Sequence, residues 1–140
     1  MKKSSSQEFQ LDKLESRKSR ISGMGAFAVK PIKARSKIGN MTGELISTRE
    51  ARKRVKTLKV IKMVEFDERV ALDATNSNSL SHINHSCDPN CYIRLIHYKV
   101  EFYAKRNIRV GEELTADYGE TQHDEQLKCG CGAKNCRGWL

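Results

Sequence analysis

The sequence predicts a single, mostly β domain with short helices, closed at its C-terminal end by a metal. Three observations carry this. Short runs of β-branched or alternating apolar residues recur between turn signals along the chain. Only the stretch after Ser47 is punctuated as a clear helix start. Three cysteines crowd into the tail as Cys129-Gly-Cys131-Gly-Ala-Lys-Asn-Cys136. The chain has 140 residues, enough for one core, and neither repeat nor linker divides it.

Residues 1 to about 16 are polar and lack periodicity, so a loose arm is expected there. From Lys18 the text reads as short strands and turns: Ser19-Arg-Ile21, the turn Gly23-Met24-Gly25, then Ala26 to Val29, broken by Pro31. An extended piece over Ile38 to Met41 leads into Gly43-Glu-Leu-Ile-Ser47. Ser47-Thr-Arg-Glu50 is a capping box, with a hydroxyl at the N-cap and a carboxylate three residues on. It opens a basic helix to about Lys56, and residues 60 to 72 return to strand-like text. Ile83-Asn-His-Ser-Cys-Asp-Pro-Asn90 is dense in side chains that bond locally, which predicts irregular backbone. Residues 91 to 104 read as a hairpin: Val100, Phe102 and Ala104 alternate with Lys99, Glu101 and Tyr103. No glycine marks its turn near His97, which leaves the register open. Val110-Gly-Glu-Glu is a second turn before Leu114-Thr-Ala-Asp-Tyr118-Gly.

Composition narrows the function classes. The apolar fraction is 38% and the net charge is +9. The longest apolar stretch is the four residues Ala26 to Val29, against about twenty needed for a membrane span, so no membrane partner is expected. Residues 1–62 carry 17 Lys/Arg against 5 Asp/Glu, whereas residues 63–140 carry 9 against 12. Between Val110 and Leu127 stand six acids and no Lys or Arg. A basic half offers a contact to nucleic acid or a nucleosome, and an acidic patch suits a cationic substrate. Either charge run also reads as ordinary solvated surface.

Certain residues go beyond what a scaffold needs. An odd count of five cysteines argues against a disulfide framework. Cys129, Cys131 and Cys136, spaced by small residues, suit a tetrahedral zinc that is one ligand short. The fourth ligand comes from Cys87, Cys91 or His123. Gly23-Met24-Gly25 lacks the third glycine of a dinucleotide fingerprint; it is a tight turn or a bare backbone edge for a ligand. Asn84-His85-Ser86-Cys87 puts an amide, an imidazole and a thiol within four positions, costly to bury without partners. That suits loop-backbone satisfaction, or Asn84 and His85 binding a polar ligand with Cys87 turned toward zinc. Tyr118 is either a packing residue or a phenol aimed at a reacting centre.

Five segments occur in order: Gly23-Met-Gly-Ala-Phe-Ala28, Gly43-Glu-Leu-Ile46, Asn84-His-Ser-Cys-Asp-Pro-Asn90, Gly111-Glu-Glu-Leu-Thr-Ala-Asp-Tyr118 and the Cys129-to-Gly138 tail. Together they resemble a SET-domain protein-lysine methyltransferase with a C-terminal post-SET zinc segment. The resemblance divides the chain into an arm at 1–16, a SET domain at 17–120 with a short helical insert at about 48–70, and a post-SET segment at 121–140. It implies a SET-like β-clip fold in which the Asn84 and Tyr118 segments thread together in a knot-like way. It also implies S-adenosylmethionine and zinc as cofactors, and a basic protein substrate: a histone, another chromatin-like protein or a ribosomal protein. Met24, Gly25, Ala26 and Phe27 match the family's cofactor edge, Asn84 and His85 its cofactor-binding pair, and Tyr118 its catalytic tyrosine. Cys87, Cys129, Cys131 and Cys136 match the zinc ligands, which leaves Cys91 as a thiol outside the set. Trp139 and Leu140 fall where post-SET residues cover cofactor and channel.

The sequence departs from the family at the lysine channel. Met41 stands where a tyrosine is usual, Ala116 where an aromatic is usual, and Ser81-His82 where Arg-Phe is common. A wider channel implies di- and trimethylated product, unless Tyr92, Tyr98 or Tyr103 fills the space. There are two rival readings: a zinc-stabilised nucleic-acid-binding module, and a catalytically weak SET-like binding protein. The first sits poorly with 6% aromatic residues and the lack of paired-cysteine finger spacing. Location follows substrate: the cytoplasm in a bacterium, the nucleus or chromosome in a eukaryotic, viral or host-delivered setting.

Overall fold

The computed structural model describes residues 10–21, 23–57 and 62–117, with residues 134 and 136. Its strands are β1 (Leu14–Lys18), β2 (Met24–Ala28), β3 (Lys37–Met41), β4 (Glu44–Ser47), β5 (Met63–Glu65), β6 (Val70–Asp73), β7 (Asn84–His85), β8 (Cys91–Ile96), β9 (Lys99–Ala104) and β10 (Glu113–Ala116). The helix α1 spans Thr48–Thr57, and short 3-10 turns cover Leu11–Lys13 and Ser79–His82. The larger sheet runs β1-β2-β10-β8-β9-β3, with β7 also pairing β10; a smaller sheet runs β4-β6-β5. The mostly β architecture expected from the sequence is what the structure shows.

The core follows the alternation. Val100, Phe102 and Ala104 of β9 are buried, as are Ile38 and Met41 of β3, Ala26 and Ala28 of β2, and Leu114 and Ala116 of β10. Phe102 is the largest wholly buried side chain, and burying one of this size contributes about 2–3 kcal/mol. Leu80, from the 3-10 turn, caps β3: a Cβ added at Gly39 would lie 3.3 Å from it.

Two local expectations need adjustment. Leu14–Lys18, partly inside the stretch expected to be a loose arm, is an edge strand paired antiparallel to β2, from Leu14–Ala28 to Lys18–Met24. Its polar text hides one apolar anchor face: Leu11 and Leu14 pack on the core, and the Gln10 amide donates to the Ile38 carbonyl at 2.7 Å. Ser19–Ile21, expected as strand, belongs instead to the turn between β1 and β2. The β8–β9 hairpin closes in a two-residue turn, with Ile96 opposite Lys99. His97 and Tyr98 both take positive φ, 49° and 58°, a conformation that ordinarily favours Gly or Asn. Tyr98 is held there by an edge contact with Phe66, centroids 5.6 Å apart, and by donating its hydroxyl to Asp67 at 3.3 Å.

The capping box forms by half. Ser47 Oγ accepts from the Glu50 amide at 3.0 Å, but the Glu50 carboxylate accepts from Arg54 Nε at 2.9 Å instead of turning back. Arg54 also donates to Glu44 and Asp73, each at 2.8 Å, which ties α1 to both neighbouring strands of the small sheet. The insert is therefore a helix laid on a three-stranded sheet.

His82 fastens the edge strand, its Nδ1 lying 2.8 Å from Ser16 Oγ. Burial, and then the nearby Lys62 charge, hold its pKa below the ordinary histidine value. The unfolded chain thus takes up this proton first as pH falls. Its contribution to stability is intact above about pH 6.5 and is lost as pH drops through the folded-state pKa. Melting temperature is expected to fall between pH 7 and pH 5.5, and to fall less in His82→Gln. Equal slopes in the two proteins would contradict this.

Candidate functional site

The site begins with an interrupted strand edge. β10 pairs with β2 only at Glu113–Phe27 and Leu114–Ala26, so the β2 backbone at Met24 and Gly25 runs on beyond its neighbour. The Asn84 side chain fills that gap, donating to the Met24 carbonyl at 3.2 Å and to Glu113 Oε2 at 2.9 Å. Ser19 Oγ lies 2.7 Å from the same Glu113 oxygen, with its proton directed to the carboxylate. Gly25 is buried directly against Glu113, and any Cβ there would collide with the carboxylate. This is the close backbone approach that only glycine permits. The preceding Gly23 has φ +43°, which makes the turn. Met24 projects outward, 47% exposed, beside this edge. Ala26 points into the core, and the half-buried Phe27 ring lies under the Arg17 guanidinium, 5.2 Å from its carbon to the ring centroid. Met24 to Phe27 is thus a backbone edge with one exposed thioether.

On its other side β10 runs parallel to the Asn84 segment: Thr115 pairs Asn84, Ala116 pairs His85, and Ala116 also meets Cys91. The Ser86 amide donates to the Ala116 carbonyl at 3.0 Å. Asn90, 3% exposed, stitches the loop end to β10: its Nδ2 donates to the Glu113 carbonyl at 2.9 Å, and its Oδ1 accepts from the Thr115 amide at 2.9 Å. The loop expected to be irregular thus contains a two-residue strand, because its backbone groups are taken up by β10. His85 is buried, with Nε2 3.4 Å from Cys87 Sγ and Nδ1 3.7 Å from an Asp117 oxygen. Cys87 and Cys136 are each half-buried. Cys91 is wholly buried in β8, where desolvation pushes its thiol up to about 12, and its Sγ donates to Asn90 Oδ1 at 3.3 Å. A thiol so far from ionising, turned into the core, is a poor metal ligand.

Met41 and Ala116 are both buried, 7% and 0% exposed. Tyr92 and Tyr103 stack on each other, centroids 5.2 Å apart, as a cross-strand pair. They project from the sheet face opposite that of Cys91, Ala104 and Ala116, and Tyr98 is engaged with Phe66. None of the three hairpin tyrosines covers Ala116. Tyr118, Cys129, Cys131, Trp139 and Leu140 lie outside the described residues. Among the described residues no group of three or more His, Cys, Asp and Glu side chains is placed to hold a metal.

The structure brings together Met24, Gly25, Asn84, His85 and the strand leading to Tyr118. Sequence reading assigned no role to Glu113 or Asn90, which hold this arrangement. Glu113 sits in the Gly-Glu-Glu turn text and Asn90 ends the Asn-His-Ser-Cys segment, so both had a motif to mark them but no visible partner.

A family model described as the SET domain matches residues 23–119. Among curated relatives, the histone-lysine N-methyltransferase trr of Drosophila melanogaster is 38% identical over 134 residues, covering 88% of this chain and 6% of that protein. Histone-lysine N-methyltransferase ATX2 of Arabidopsis thaliana is 39% identical over 86% of this chain and 12% of its own length. A Schizosaccharomyces pombe histone-lysine N-methyltransferase, named as specific for H3 lysine-4, is 38% identical over 87% of this chain and 14% of its own. The chain therefore spans a small fraction of the relatives it matches.

Proposed function

This chain belongs to the SET-domain family, and we propose that it transfers methyl groups from S-adenosylmethionine to the ε-amine of lysine in a basic protein substrate, a histone H3 tail first among them. The observation that supports this best is the meeting of the bare Met24–Gly25 edge, Asn84 and the end of β10 at one place. The carry-over of substrate rests on relatives named as histone-lysine N-methyltransferases. A histone substrate would put the protein at chromatin, where the exposed Arg49, Lys53 and Lys56 of α1 face polyanionic surroundings.

S-adenosylmethionine supplies an electrophilic methyl group on a sulfonium. The open backbone edge, the glycine packed on Glu113 and the amide of Asn84 suit a ligand with a polar amino-acid end and a flat apolar base. Met24 to Phe27, Asn84 and His85 would hold it, with Trp139 covering it. A free lysine, pKa about 10.4, is less than about 0.1% neutral at pH 7. A dry channel disfavours the ammonium and raises that fraction. The Tyr118 hydroxyl would orient the amine, and alignment of this kind is worth several kcal/mol. Methyl transfer from isotope-labelled cofactor to histone H3, with Asn84→Ala as control, tests the function. Cofactor binding without transfer to any basic protein would instead favour the SET-like binding protein.

Cys87, Cys129, Cys131 and Cys136 would hold one zinc by four thiolates, fixing the tail against the Asn84 segment. Of these, Cys87 stands two residues beyond buried His85, so the metal would couple directly to the cofactor-binding pair. Zinc content near one per chain is expected, falling in Cys87→Ala together with cofactor affinity. Unchanged content in that variant would remove Cys87 from the set. With Ala116 small and the hairpin tyrosines on the opposite face, the channel should admit di- and trimethylated products. Only monomethyl-lysine at long incubation, with cofactor remaining, would contradict this.

A further inference from the structure

We propose that Lys62 is an internal methyl acceptor, its amine already seated beside the segment that positions the transfer. Lys62 Nζ donates to the backbone carbonyl of Ser81. Ser81 is buried and begins the run Ser81-His-Ile-Asn84 that delivers the Asn84 amide to the β2 edge. The 3-10 turn carrying it packs on β3, the strand of Met41. The Lys62 backbone is fixed too, its carbonyl accepting from the Ala74 amide at 2.7 Å.

A lysine on a surface normally snorkels, keeping its ammonium in water or on a carboxylate. This one does neither: no carboxylate among the described residues pairs with it, and its acceptor is a neutral carbonyl. Burial alone lowers its pKa from the ordinary lysine value. A partly desolvated amine, held by a carbonyl that accepts one N–H and leaves the nitrogen's lone pair to point elsewhere, is in the state that methyl transfer requires. In the step, the neutral Nζ lone pair forms a bond to the sulfonium methyl carbon as the carbon–sulfur bond breaks. The sulfur keeps that electron pair as a neutral thioether, and the surplus proton on nitrogen passes to water. The same seating makes Lys62 a competitor of an incoming substrate lysine.

This inference rests on the methyltransferase reading, and two measurements separate their failures. In the first, the full chain is incubated with methyl-deuterated S-adenosylmethionine, with and without histone H3, and labelled sites are mapped by mass spectrometry. Label is expected at Lys62, at a rate independent of protein concentration and slowed by excess H3 peptide. It should be absent from a tagged Tyr118→Phe chain mixed with the wild type. Label on H3 with none on Lys62 overturns this inference and leaves the function standing; label on neither overturns both; label on the tagged Tyr118→Phe chain overturns transfer within one molecule. In the second, with no cofactor, competitive acetylation across pH should show Lys62 titrating below exposed Lys53. Titration together with Lys53 overturns the seating.

Discussion

Tyr118→Phe is expected to lower turnover on a histone H3 peptide by about 100-fold, the usual cost of removing one donor that acts on the reacting groups. Cofactor affinity and melting temperature should scarcely move, because the ring and its packing stay and only a hydroxyl leaves. The reasoning starts from β10. Its last residues, Thr115 and Ala116, pair with Asn84 and His85, and Asp117 stands 3.7 Å from His85. The chain therefore leaves β10 for Tyr118 directly beside the proposed cofactor-binding pair. A loss confined to the rate constant would place the hydroxyl at the transfer step. A loss that appears as weaker cofactor binding would make Tyr118 part of the binding wall. Near-normal turnover would move the catalytic role elsewhere.

The parts of the fold that were legible in the sequence are those written in local pattern. Lys99 to Ala104 alternates cleanly because one face of β9 meets the core, and Ser47 announces α1 through a bond made three residues on. The parts that were not legible are set by partners distant in sequence. β1 looks like a polar arm until β2 pairs with it, since an edge strand needs only Leu14 and a few small residues on its inner face. The two residues of β7 are strand only because β10 lies alongside, some thirty positions later. The candidate site divides in the same way. Asn84 and His85 stood out as polar groups needing partners. Glu113 did not, because a carboxylate in a Gly-Glu-Glu turn reads as solvated until Ser19, Gly25 and Asn84 close around it.

Asn90→Ala is expected to destabilise the protein by about 3 kcal/mol and to lower the melting temperature by roughly 10 °C. The substitution removes a buried amide that serves two strands at once. Without it the Thr115 amide loses its acceptor and the Glu113 carbonyl loses its donor, at 2.9 Å in each case. Each polar group left unpaired in a dry site costs about 1–3 kcal/mol, and the small cavity adds to this. That is a sizeable share of a typical total stability of about 5–15 kcal/mol. Asn107 provides the comparison. Its Oδ1 accepts from the Ala34 amide at 2.8 Å, but it is exposed, and water replaces it after truncation. Asn107→Ala should therefore cost under about 1 kcal/mol. Because Asn90 fixes β10 against the Asn84 segment, its loss should also weaken cofactor binding at temperatures where the protein is still folded, whereas Asn107→Ala should not. Denaturant unfolding of the two variants checks the difference, and equal midpoints would mean that Asn90 does not hold β10 to the Asn84 segment.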